Sequence, residues 1–123
     1  MKNIIDKTLV VEAVISKIKN EGAPEKIESK DLKDYDTPLK IPQKGNKKEY
    51  TPDIAVHYKD ELNLFEIELE DKMYPEKWKT MSLFSKQHKG YLYLVVPDYL
   101  KEKIKNEMKK NQIDAGLIYF NTK

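Results

Sequence analysis

Residues 51–71 run TPDIAVHYKDELNLFEIELED, and apolar and polar positions take turns along them. Ile54, Val56 and Tyr58 alternate with Asp53, Ala55 and His57, the period of a half-buried strand. Leu62, Leu64, Phe65, Ile67 and Leu69 form a second apolar run, threaded by Glu66, Glu68 and Glu70. Lys59, Asp60 and Glu61 join the two runs as a polar turn. Strand side chains alternate in direction, so the pattern predicts the three glutamates on one face, opposite Phe65, Ile67 and Leu69. If the strands pair antiparallel, Asp53 comes close to that acidic face. Carboxylates gathered in a partly buried strand call for a cation, a shared proton or a nearby lysine. An outer strand with a solvated acidic face accounts for the same pattern.

The pattern on either side supplies the other elements. Residues 4–20 predict an amphipathic helix, with Ile5, Leu9, Val10, Ala13, Val14, Lys17 and Ile18 inward, Asp6 or Asn3 as its cap, and Glu21-Gly22 as its end. Glu12 lies in its middle. Residues 23–50 carry Pro24, Pro38, Pro42 and Gly45 and read as a long loop or flap, with short strands at 26–28 and 39–41. Its lysines at 40, 44, 47 and 48 suit a backbone-contacting flap or a solubilising loop. Tyr74-Pro75-Glu76 opens a second helix with Trp78, Met81 and Phe84 inward, Leu83 beside them, and Gly90 at its close. Residues 91–96 are continuously apolar or aromatic, as in a central strand covered on both faces. A lysine-rich helix over 99–112 follows, capped by Asp98, and residues 115–120 make a last short buried strand. The order implies one α/β domain over residues 1–123, a sandwich built on a mixed sheet.

Composition narrows the chemistry. The chain has 123 residues and a formal charge of +2, so net charge alone steers no nucleic acid. All 23 basic residues are lysine, which removes the guanidinium fork but leaves lysine contacts to phosphate open. With no cysteine there is no thiolate metal site and no thiol catalysis, and two histidines, His57 and His88, do not suggest zinc. No apolar run nears the roughly 20 residues that cross a bilayer. The first residues lack a signal-peptide core, so the expected setting is soluble and cytoplasmic.

Taken together, these residues resemble the PD-(D/E)XK nuclease superfamily. Pro52-Asp53 matches the Pro-Asp at a strand start, and Glu66-Ile67-Glu68 stands where the (D/E)-x-K triplet falls on the next strand. The resemblance runs on through the following helix, the strand ending Val95-Val96-Pro97-Asp98 and the closing Gly116-Leu117-Ile118, and Glu12 matches a first-helix glutamate. It implies a restriction-endonuclease-like sandwich, with a central mixed sheet of about four to five strands flanked by helices. It also implies Mg²⁺ or Mn²⁺ held by Asp53, Glu66 and the Ile67 carbonyl, with DNA as partner and RNA as a second option. Specific cleavage by so small a core would require a homodimer or a partner protein.

The chain departs from the triplet at its last position, where Glu68 replaces lysine. That exchange strengthens the pull on a cation and opposes the approach of phosphate, unless other lysines compensate. Some members carry Glu-x-Glu here, and others move the lysine to the next helix, where Lys77 or Lys79 could take the role. Lys72 is nearer in sequence but falls on a turn. The candidate site is therefore Asp53, Glu66, Glu68, Glu12 and Lys79, serving metal-dependent phosphodiester hydrolysis. A nuclease-like domain without catalysis, acting as a nucleic-acid or protein binding module, is the alternative, and an unrelated α/β domain is a third.

Overall fold

The computed structural model describes residues 5–122. Its element order is α1 (Lys7–Glu21), β1 (Lys26–Ser29), β2 (Ile41–Pro42), β3 (Glu49–Tyr50), β4 (Ile54–His57), β5 (Leu62–Ile67), α2 (Pro75–Gln87), β6 (Leu92–Pro97), α3 (Lys101–Lys110) and β7 (Gly116–Phe120). Five strands form one sheet in the order β1-β4-β5-β6-β7, and β2 and β3 make a separate hairpin. The first three strands of that sheet pair antiparallel, whereas β5-β6 and β6-β7 are parallel. The fold is thus α/β with a mixed sheet, as the order of elements predicts.

Alternating side chains give the sheet two apolar faces. Ile54, Val56, Phe65, Ile67 and Val95 meet Val11 and Ile15 of α1 on one face. Ala55, Leu64, Leu92, Leu94 and Val96 meet Trp78 and Met81 of α2 and Ile104 of α3 on the other. Strand β6 is buried almost throughout, with helices on both sides, which explains its unbroken apolar run. Asp6 caps α1 through Thr8 N–H at 2.9 Å, and Pro75 begins α2 where its missing N–H costs nothing. Asn3 lies outside the described residues.

Several expectations change. The buried line of α1 is Val11 and Ile15, while Leu9 is 63% exposed. From Leu9 to Ile15 the helix is apolar except for Glu12, so periodicity could not select its inward side. Leu83 on α2 is exposed, and the buried line there runs through Ser82 and Ser85. Asp98 caps no helix. It starts a single 3₁₀ turn, Asp98–Leu100, and its carboxylate accepts from Thr122 Oγ1. Strand β7 is a sheet edge rather than a buried strand, with Ile118 and Tyr119 exposed. The 23–50 stretch contains β1 and the β2–β3 hairpin, whose Ile41 joins the core.

The turn after α2 assigns distinct roles to neighbouring residues. Lys89, not Gly90, takes the left-handed conformation that ends the helix, with φ 60°. Gly90 is needed because β5 passes against it: a Cβ there would lie 1.7 Å from Leu62 O. Two substitutions should therefore move stability in opposite directions in urea unfolding. Gly90→Ala should cost roughly 3 kcal/mol or more, because backbone must shift. Lys89→Gly should add about 0.5–1 kcal/mol by relieving the left-handed strain.

Candidate functional site

The β4–β5 register creates the site. Ile54 pairs with Phe65, so one step further Asp53 stands opposite Glu66. The preceding residue is Pro52, which has no N–H to offer the ladder. The Asp53 side chain continues the pairing instead, its Oδ2 accepting from Ile67 N–H at 2.8 Å. Asp53 is 1% exposed and Glu66 3%, and the two carboxyls are in hydrogen-bond contact. Glu68 is buried too, its Oε2 accepting from Trp78 Nε1 at 2.7 Å and lying 2.9 Å from Lys77 Nζ. This acidic face is an interior feature, not a solvated one. Glu70, beyond the end of β5, is exposed.

Three lysines compensate the three carboxylates, and they come from three different elements. Lys7, the first residue of α1, donates to Asp53 Oδ1 at 2.7 Å. Lys30, just after β1, lies 3.5 Å from the same oxygen and donates to Thr51 O at 3.0 Å. Lys77 of α2 lies between Glu68 and Glu66, 4.0 Å from Glu66 Oε2, and also sits over the Tyr74 ring. The Lys7 and Lys30 side chains are more than a third exposed, so the lysine side is where solvent reaches the cluster.

The carboxyls of the central pair are driven apart in acidity. Burial pushes Glu66 well above its ordinary value, and the charge of Asp53 and the hydrogen bond to it push the same way. Burial would also raise Asp53, but hydrogen bonds from Glu66, Lys7 and Ile67 N–H outweigh it and hold Asp53 below its ordinary value. One proton shared on the Glu66 side satisfies both shifts. Burial would lower Lys7 and Lys77 as well, yet their carboxylate partners leave both raised.

Sequence reasoning placed Asp53, Glu66, Glu68 and Ile67 together, and the structure brings them together. Ile67 contributes its amide to Asp53, where its carbonyl was expected to serve a metal. Glu12 is elsewhere: it is exposed and lines a groove with Ser16, Lys19, Leu32 and Tyr35. Lys7, more than a helical turn earlier on α1, reaches Asp53 instead. Lys79 is also displaced, exposed and lining a groove with Ile41, Pro42 and Phe84. Two residues along a helix turn a side chain by roughly 200°, so of the two lysines only Lys77 faces the carboxylates. Lys7, Lys30 and Asp31 had no sequence signal, because packing alone brings them to β4.

The resemblance implies a divalent ion, and the donor set bears on whether one fits. Among the described residues no three His, Cys, Asp or Glu side chains form a ready-made metal cage. Asp53 and Glu66 do touch, and magnesium takes one or two carboxylates, filling its shell with water and substrate oxygens. The Lys7 ammonium already stands as a cation on Asp53 Oδ1. Asp31 Oδ2, 4.0 Å from that ammonium, is buried with no hydrogen-bond partner among the described residues. Asp53 and Glu66 are the residues that would hold such an ion, in competition with the lysines on Asp53.

The shared proton has a consequence for stability. Glu66 holds its proton more tightly folded than unfolded, so its contribution falls as pH rises from its ordinary value of 4.5 through the raised one. Asp53 acts oppositely: its contribution is present above its ordinary 3.8 and fades as pH falls through the lowered value. Glu66→Gln mimics the protonated carboxyl. In urea unfolding read by Trp78 fluorescence, it should gain on wild type as pH rises above the ordinary carboxylate value of 4.5. A difference that does not change with pH contradicts the shared proton.

In comparisons with family models, with curated proteins and with solved structures, nothing matches this chain, so the functional reading stands on its fold and side chains.

Proposed function

We propose that this chain is a metal-dependent phosphodiester hydrolase of the nuclease type, acting on DNA, with RNA as a second candidate. The observation that carries the reading is the Asp53–Glu66 pair, two buried carboxyls facing each other across β4 and β5 and flanked by Lys77. The order of helix, antiparallel strands, helix and parallel strand around that pair is the order expected of PD-(D/E)XK nucleases and supports the same reading. Asp53 and Glu66 would hold the ion. Bound there, it supplies Lewis-acid charge at phosphorus and acidifies an attacking water.

The chain's own residues do the rest. Lys77 takes the place of the triplet lysine from the next helix, and its ammonium neutralises charge on the phosphate. Glu68 is a positioning residue: with Trp78 on one side and Lys77 on the other, it holds that ammonium beside Glu66. Lys30, half-exposed at the rim, adds attraction for the backbone of the substrate.

One observation favours the second reading, a nuclease-like module without catalysis. Lys7 and Lys30 pair with Asp53, and Lys77 with Glu68 and Glu66, so the carboxylates have counter-ions without a metal. Incubating the full chain with plasmid and with single-stranded DNA in Mg²⁺ or Mn²⁺ separates the two. The hydrolase reading expects cleavage that falls roughly 100-fold or more in Asp53→Asn and Glu66→Gln and about 10-fold or more in Lys77→Met. Lys79→Ala, altering an exposed residue away from the cluster, should cut as wild type does. Mn²⁺ binding without cleavage of any substrate would support the binding module instead.

A further inference from the structure

Two features of the site are unexplained by hydrolysis alone. Lys7 stands in the first turn of α1, where the helix dipole disfavours a positive charge; that turn holds no acidic residue, the cap Asp6 lying just before it. Asp31 has a buried carboxylate oxygen with no hydrogen-bond partner among the described residues, although the Lys7 ammonium is 4.0 Å away. The ammonium is committed to Asp53 Oδ1 at 2.7 Å, while Asp53 Oδ2 is taken by Ile67 N–H. An ion bound through Asp53 Oδ1 would compete for that oxygen with the Lys7 ammonium and with Lys30 at 3.5 Å.

We propose that Lys7 is a two-position counter-ion, which neutralises Asp53 when no divalent ion is bound and turns to Asp31 when one takes its place. The proposal rests on the divalent-ion reading of the site and adds a specific competitor for it. The movement is small. Closing 4.0 Å to an ordinary ammonium–carboxylate distance requires a shift of about 1 Å, within reach of the terminal torsions of a lysine. Asp31 then has the partner it lacks, and Lys7 stays at the rim with its charge intact. The arrangement sets cation affinity: the ion must outcompete an ammonium, and Asp31 lowers the cost of displacing it.

Mn²⁺ binding to the full chain tests this, measured by calorimetry and by quenching of Trp78. That residue is the sole tryptophan, and its Nε1 donates to Glu68 within the cluster. Lys7→Met should bind Mn²⁺ roughly 10-fold or more tightly, because the nearer of the two ammoniums on Asp53 Oδ1 is gone while Lys30 stays 3.5 Å away. Asp31→Asn should weaken binding roughly 3- to 10-fold. In the Lys7→Met background, Asp31→Asn should have no further effect, since Asp31 acts only by receiving Lys7.

Unchanged or weaker binding in Lys7→Met overturns the proposal. So does an Asp31→Asn shift of equal size in both backgrounds, which would be plain charge attraction. Lys30 remains 3.5 Å from Asp53 in Lys7→Met, so the buried carboxylate keeps a counter-ion. If that variant still fails to fold, Lys7→Gln serves, and Asp31→Asn alone must show its shift in the wild-type background. Binding to wild type with no change in the variants sinks the counter-ion role and leaves the hydrolase reading standing. No binding to wild type or to Lys7→Met removes both.

Discussion

Everything at the candidate site follows from burying Asp53 and Glu66 opposite each other on two paired strands. Two carboxyls taken out of water cannot both be charged and adjacent without compensation. The molecule compensates in two ways. Glu66 keeps its proton to higher pH and shares it with Asp53, and lysines from α1, from the residue after β1 and from α2 close around the pair. Each lysine ties its own element to the β4–β5 hairpin, so the arrangement that creates the site also fastens three separated stretches of chain. Apolar side chains of similar size in place of such a buried charged cluster are often neutral or stabilising.

Glu68 is held from two sides. It is bound by Trp78 and Lys77, and it places the ammonium of Lys77 close to Glu66. A strand glutamate and a helix lysine nine positions apart in sequence thus put a cation on the side of the site that α2 covers.

How much of this could be read beforehand depends on range. The mixed sheet, the strand pair and the facing of Asp53 and Glu66 were legible, because period-two alternation and a short polar turn are local signals. The rotation of α1 was not: with Leu9, Val10, Val11, Val14 and Ile15 all apolar, several faces look equally suited to the core. Glu12 was a candidate only through its match to a first-helix glutamate, and no pattern marked Lys7. Lys79 was preferred to Lys77, and only the observed line of Trp78, Met81 and Ser85 fixes which lysine points inward. Lys30 and Asp31 belong to a stretch whose shape comes from packing against β4, so no local pattern reveals them. Strand β7 looked buried because its residues are apolar, but no strand lies beyond it among the described residues.

The central claim is that the Asp53–Glu66 pair is a seat for a divalent cation, held meanwhile by a proton and an ammonium. Anomalous scattering from crystals of the full chain grown with Mn²⁺ addresses it most directly. The account predicts a single strong peak bound by carboxylate oxygens of both Asp53 and Glu66, with the Lys7 ammonium moved off Asp53. A peak elsewhere, or no peak while Lys7 still bonds Asp53, would contradict it.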